Sequence, residues 1–385
     1  MITVDPCTGV SPETLRARGG NKWNKYDADV LAAWIADMDF TVAEPVREAV
    51  AWAAAHSAFG YGRPEDHEAL FRAASRWYAA RHGWEPDPTA FLALSDVLQG
   101  IYAAIFTLTE PGDGVIVQGP IYPPFLQSIE SLGRRVLDNR LHAPSDVAAL
   151  DLDGLRRMAA DPRAKLLLLC NPHNPTGRVF RREELAAIAA IALEYDLVVV
   201  ADEIWMDVLY PGHRHVPFAS LGPEVAARTL TLTSATKSFN LGGLRCAVAI
   251  VGSPELRARF ETLPQRVRGM PNVLGIRATI AAWTEGGPWL DTVLRQLDAN
   301  RQALAAFLRE RLPRVRHRSP EGTYMAWLDF SAYGLERPAA LLLERARVAL
   351  SDGADFGDAA CARLNFATTP AILNAICERI AAALP

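Results

Sequence analysis

Two unbroken apolar runs constrain this fold more than any other feature of the chain: Leu-Leu-Leu-Leu at 166–169 and Leu-Val-Val-Val at 197–200. A strand with one wet face alternates apolar and polar residues. A run without a polar member is buried on both faces, which requires helices above and below a largely parallel sheet. Shorter apolar runs predict further strands at 91–94, 115–118, 230–233 and 247–251, beside the central pair at 166–170 and 197–201. Segments of helical period fall between them at 98–108, 124–132, 183–195 and 254–266, the alternation of a layered α/β unit. After residue 285 the pattern changes to a long Arg-rich amphipathic helix near 290–312, then strands around 324–330 and 363–366, which predicts a smaller α+β unit. A chain of 385 residues accommodates two such cores. The expected division is a large unit at 45–285 and a small unit made of 1–44 and 286–385.

Composition narrows the partners. Net charge is −4, and no stretch concentrates Lys or Arg without acidic neighbours, so neither nucleic acid nor an anionic membrane is expected. No apolar run approaches the roughly 18 residues of a spanning helix, and residues 1–5 open without a basic region followed by an apolar one. The expectation is a cytoplasmic protein with a small-molecule ligand. Cys7, Cys170, Cys246, Cys361 and Cys377 form no C-x-x-C pair and read as reduced packing residues. Lysine occurs only at 22, 25, 165 and 237, the remaining basic charge being arginine. Arginine stays protonated, whereas a desolvated lysine amine can condense with an aldehyde, so lysine chemistry has four candidates.

Four polar constellations fall at the expected strand ends, where ligands of such sheets bind. In Ser234-Ala-Thr-Lys237-Ser-Phe-Asn240, with Arg245 eight residues beyond the lysine, an amine stands among hydroxyls and a guanidinium. That set suits an aldehyde cofactor bearing a phosphate, and it also suits a polar strand-to-helix loop. Asp202, in Ala201-Asp-Glu-Ile-Trp205, follows an apolar strand that excludes an isolated carboxylate unless it meets a cation such as a pyridinium. A helix N-cap or a surface carboxylate is the other reading. Asn171-Pro-His-Asn174-Pro-Thr-Gly177 forces an irregular loop, able to aim an amide at a ligand or simply to turn the chain. Arg363, in Arg363-Leu-Asn365, presents a planar fork to a substrate carboxylate or to a surface ion pair.

Taken in order, Asn-Pro-x-Asn-Pro-x-Gly, Asp, Ser-x-x-Lys, Arg and Arg-x-Asn resemble fold-type I pyridoxal 5'-phosphate (PLP) enzymes of the class I/II aminotransferase group. The segments Trp34-Ile-Ala-Asp-Met-Asp-Phe40, Phe59-Gly-Tyr61, Cys170-Asn-Pro-His-Asn-Pro175 and Ser351-Asp-Gly-Ala-Asp-Phe-Gly357 are similar to the PatB/MalY-type carbon–sulfur β-lyases over essentially the whole chain. The resemblance implies a large domain with a mostly parallel seven-stranded sheet, a smaller α+β domain, and a homodimer with shared active sites. It implies that Lys237 carries PLP, that Asp202 pairs with the pyridinium, that Asn174 bonds the ring oxygen and that Tyr122 stacks on the ring. Backbone N–H groups of Val97 and Leu98, with Ser234 and Arg245, would hold the phosphate. Tyr61 would reach it from the other subunit, and Arg363 would grip the substrate α-carboxylate. Three residues after Asp202 the aminotransferases usually have tyrosine and these lyases histidine, whereas this chain has Trp205. An indole donates one hydrogen bond and neither accepts nor titrates. Trp205 is therefore expected beside the cofactor ring, the alternative being a core tryptophan.

The implied activity is β-elimination from cysteine S-conjugates such as cystathionine, giving thiol, pyruvate and ammonia. An aminotransferase, or a biosynthetic PLP enzyme acting on an amino acid, uses the same residues. A regulatory protein that keeps the pocket only to bind a partner is disfavoured, since every catalytic residue type is present.

Overall fold

The computed structural model describes residues 6–7, 10–141 and 150–384. The opening pentapeptide thus lies outside the described residues. Seven strands form the main sheet: β1 (Phe91–Leu94), β2 (Gly114–Val117), β3 (Arg135–Asp138), β4 (Ala164–Cys170), β5 (Val198–Asp202), β6 (Thr229–Thr233) and β7 (Ala247–Val251). Their order is β1-β7-β6-β5-β4-β2-β3. Only β7 runs against its neighbours. A four-stranded antiparallel sheet follows, β8 (Arg316–His317), β9 (Met325–Asp329), β10 (Ser351–Asp352) and β11 (Cys361–Asn365), in the order β10-β11-β9-β8.

The helices that matter for the site are α1 (Glu44–Ala55), α2 (Pro64–His82), α3 (Val97–Leu108), α4 (Pro123–Ser131), α5 (Arg182–Glu194), α6 (Val273–Glu285), α7 (Gly287–Arg311) and α8 (Pro370–Ala383). The two apolar runs occupy the sheet centre for the expected reason. Leu166, Leu168, Val198 and Val200 pack in one core with α3 and α4, while Leu167, Leu169, Val199 and Ala201 pack in another with α5. Every one of them is buried. Removing one such side chain, as in Leu168→Ala, costs about 2–5 kcal/mol because lost transfer energy adds to an unfilled cavity. Because side chains alternate along a strand, Asp202 continues the row of Val198 and Val200 and so faces the α3/α4 side.

Two expectations need correction. The helix expected at 254–266 is two pieces, Pro254–Phe260 and Gln265–Arg268, because Pro264 has no N–H with which to continue the first helix. The edge strand β3 was not read from the sequence, since its Arg135 and Asp138 are exposed and break any apolar run. Asp202 also belongs to its strand as the last residue instead of following it. No helix of the described residues is long and apolar enough to cross a membrane.

Candidate active site

β5 delivers Asp202 to the carboxyl edge of the sheet with 5% of its surface exposed. Its Oδ1 accepts a hydrogen bond from the Ile204 N–H (3.0 Å), and it makes no ion pair among the described residues. Burial pushes the carboxyl up to about 7, against the opposing pull of that N–H and of Lys237. A desolvated carboxylate so placed lacks a cation of its own.

Lys237 stands in the loop between β6 and β7. Its Nζ donates to the Ala36 carbonyl (3.3 Å) and lies 5.7 Å from the centre of the Trp205 ring. Burial lowers its pKa, while Asp37 and, less strongly, Asp202 hold it up. The loop is fixed at both ends. Ser234 Oγ donates to the Cys246 carbonyl (2.6 Å), and the Asn240 amide exchanges bonds with the Met38 N–H and C=O, both 2.9 Å.

Arg363, in the middle of β11 and not at its start, is buried against the same edge. Nη1 donates to Asn174 Oδ1 (2.9 Å), and Nη2 donates to the Trp34 carbonyl and to Ser351 Oγ, each 3.1 Å. Its Nε is buried without a partner, and burial pulls its pKa down to about 10. The guanidinium lies 4.8 Å from the Phe356 ring centre. Tyr122, the residue before α4, packs on Trp327, Phe356 and Cys361, and burial raises its pKa against the influence of nearby Arg363.

Of the residues expected to hold a phosphate, Val97, Leu98 and Arg245 meet at the start of α3. Val97 and Leu98 open that helix, so their N–H groups have no partner within it. Asp96 caps the helix by accepting from the Gln99 N–H (2.7 Å) and pairs with Arg245. Arg245 is well exposed, and its backbone takes a left-handed conformation, φ 49°. Ser234 Oγ donates its proton to the Cys246 carbonyl and accepts from the Thr236 N–H (3.1 Å). Tyr61 is apart from all of these within one chain, fully exposed on the loop before α2. Trp205 is fully buried, edge-on to Tyr324 with ring centres 4.7 Å apart, and serves both the core and the lysine's surroundings.

Sequence reasoning missed several participants. Asp37, Tyr324 and the Ala36 carbonyl surround Lys237, with Tyr324 OH donating to Ala36 O at 3.1 Å. Asp96 carried a legible signal, an acidic residue directly before an apolar helical run. A cavity of about 530 Å³ lined by Thr176, Gly177, Arg178, Trp327 and Asp329 includes none of Lys237, Asp202 and Arg363. The desolvated Lys237 and the buried Asp202 and Arg363 lie together at the carboxyl edge of the sheet, outside that cavity.

This seven-stranded sheet, with lysine, aspartate and arginine brought to one edge from three distant segments, is the fold-type I arrangement, and the chain belongs to the aminotransferase class I and II family, whose match spans residues 33–380. Among individual relatives it is 37% identical to cystathionine beta-lyase PatB of Bacillus subtilis (strain 168), over 94% of this chain and 96% of that protein. The solved structure of OvoB superposes with a TM-score of 0.90 at 39% identity, covering 95% of this chain and 96% of that one. Cystalysin from Treponema denticola, whose structure contains a pyridoxal 5'-phosphate cofactor, gives 0.92 at 29% identity, covering 99% of both chains.

Proposed function

We propose that this chain is a PLP-dependent carbon–sulfur lyase that cleaves cysteine S-conjugates of the cystathionine type. The observation that carries the reading is a buried Asp202 without an ion-pair partner among the described residues, at the same sheet edge as a desolvated Lys237 and a buried Arg363 with an unused N–H. Likeness to PatB over nearly the full length of both chains supports the substrate class.

The residues present fit the cofactor. Asp202 would hold the pyridine nitrogen, whose positive charge supplies the partner the carboxylate lacks. Lys237 would carry the aldehyde carbon. Asn174 would address the ring oxygen and Tyr122 the ring face. The open N–H groups of Val97 and Leu98, with Arg245, would receive the phosphate. When bound, PLP supplies an electron sink that lets a Cα proton leave and a Cβ–sulfur bond break.

The chain's own residues do the rest. Arg363 orients the substrate through its carboxylate, Nε being the donor still available. Lys237 Nζ, with its pKa lowered by burial, takes the Cα proton. The Tyr122, Trp327 and Phe356 side chains exclude water beside Arg363. Trp205 contributes a donor that does not titrate.

We further infer a cytoplasmic homodimer built from a large unit at 45–285 and a small unit of 1–44 with 286–385. Separate apolar cores support the division, one of them joining residues 31–40 to residues 293–380. Exposed Trp52, Phe59, Tyr61, Phe106, Val267 and Met270 support a second copy as partner, with Tyr61 serving its phosphate cup. Five buried cysteines suit a reducing compartment.

The deciding assay incubates purified, PLP-loaded protein with cystathionine, and separately with common amino acids plus 2-oxoglutarate. Pyruvate from the first supports the lyase. Glutamate from the second, without pyruvate from the first, replaces it with an aminotransferase.

A further inference from the structure

Behind the site lies a second set of buried charges that the reaction does not use. Asp202 faces the cofactor side of the sheet, but Glu203 and Asp207, in the same turn, point away from it and are 1% and 3% exposed. Such carboxylates are costly to bury unless donors surround them. Asp207 has three: Trp77 Nε1 at 2.9 Å and His82 Nε2 at 3.0 Å on Oδ1, and Ser238 Oγ at 2.8 Å on Oδ2. Burial raises its pKa, yet His82 and the hydroxyl and indole bonds outweigh this and keep it ionised. Glu203 accepts from the Phe218 N–H (2.8 Å) and Tyr78 OH (3.1 Å), with His215 Nε2 3.2 Å away but out of hydrogen-bond alignment. The rings of His82 and His215 meet edge to face at 5.3 Å. A cavity of about 590 Å³ lined by His82, Asp207 and His215 adjoins the cluster.

The placement of these bonds is informative. Ser238 is the residue after Lys237. The lysine amine itself is held by one long bond to Ala36 O, so its position is set by the backbone that carries it. Within residues 234–240, which flank the lysine, the Ser234 and Asn240 side chains reach backbone groups, and only that of Ser238 reaches a charged group. Asp207 in turn is five residues beyond Asp202 and is locked to the last turns of α2 through Trp77 and His82.

We propose that Asp207 is a positioning residue that sets Lys237 relative to Asp202, its carboxylate clamping the lysine loop through Ser238 while Trp77 and His82 hold the carboxylate still. The role rests on the reading of Lys237 as the cofactor-bearing lysine. Charge-assisted bonds of this kind are the stronger class, and a reacting group displaced by about 1 Å loses on the order of a hundredfold in rate.

The test uses three variants: Asp207→Asn, Ser238→Ala and Ser238→Thr. Each apoprotein is mixed with PLP, and capture is read as the growth of visible absorbance and as borohydride-fixed label on Lys237. Loaded enzymes are then assayed on cystathionine. Asp207→Asn and Ser238→Ala are expected to capture PLP about tenfold more slowly and to lose about ten- to a hundredfold in kcat, with KM within about twofold, while Ser238→Thr restores both. If Asp207→Asn does not fold, Ser238→Ala decides alone. A lowered Tm with wild-type capture and wild-type kcat overturns the proposal and leaves a purely structural cluster. The two readings fail separately: absence of pyruvate from the wild-type enzyme refutes the lyase assignment without touching the capture result, and label fixed elsewhere in Lys237→Ala refutes the lysine assignment.

Discussion

Replacing Asp202 by asparagine should make the cofactor-free protein more stable above neutral pH, even though it should abolish activity. The carboxyl has an ordinary value of 3.8 and is pushed to about 7 by burial. A group whose pKa is raised on folding binds its proton more tightly in the native state. Its stabilising contribution is therefore fully present below pH 3.8 and is lost as pH rises through 7. Each pH unit well inside that window costs about 1.4 kcal/mol, so the whole shift corresponds to about 4 kcal/mol, and the step from pH 5 to pH 7, where the folded carboxyl is half ionised, to about 2 kcal/mol. Asparagine keeps the oxygen that accepts from Ile204 N–H but carries no charge to desolvate. Urea unfolding of both apoproteins at pH 5, 6, 7 and 8 should show the variant gaining on the wild type through pH 7 and then holding level. PLP should narrow the gap, because a pyridinium stabilises only the ionised carboxylate. Parallel stability curves across that range would refute the claim that Asp202 sits desolvated and unpaired.

Arg363→Ala should weaken amino-acid substrates about ten- to a hundredfold, the equivalent of a lost charge-assisted contact of about 1.5–3 kcal/mol, measured as KM on cystathionine. The same change strips the donor from Asn174 Oδ1 and should lower Tm, because a buried acceptor is left unsatisfied. Trp205→His should introduce a pH-dependent change in the visible absorbance of the loaded enzyme between about pH 5 and 8, where imidazole changes charge; an invariant spectrum there removes Trp205 from the cofactor's surroundings. Sedimentation should find a dimer, and mixing Tyr61→Ala with Lys237→Ala subunits should regenerate at most one intact site per heterodimer. Full activity in a monomer excludes shared sites.

The sequence exposed those parts of the molecule in which one residue type answers to one physical demand. Leu166 to Leu169 can be unbroken only in a doubly covered strand, and a carboxylate directly after the apolar run 197–201 marks where that strand meets the sheet edge, so the sheet and the burial of Asp202 were both legible. What stayed hidden depends on juxtaposition. Arg135 and Asp138 look like loop residues until β2 is seen to need an edge partner. Ser238 and Asp207 are ordinary polar residues until folding sets them 2.8 Å apart. Asp37 was within a motif singled out early, yet its effect on Lys237 arises only when residues 33–40 fold back under the lysine loop. Pro264 interrupts a pattern that is otherwise helical in period, and the helix divides before it.

The floor of the site is stitched from the two extremes of the chain. Arg363 donates to the Trp34 carbonyl across 329 positions, and Asn365 donates to the Ile35 and Asp37 carbonyls across 330 and 328. Residues 33–37 therefore leave the ribosome long before Arg363 and Asn365 exist to bond with their carbonyls. The apolar sheet can collapse while synthesis continues, but the seat beneath Lys237 has to wait for β11, and contacts this distant in sequence are slow to close. Newly made protein should pass through a stage in which the lysine is in place and the carboxylate grip is not. Loss of the last strand and α8 would hold it there, leaving a chain with the lysine loop in place and no hold on the substrate.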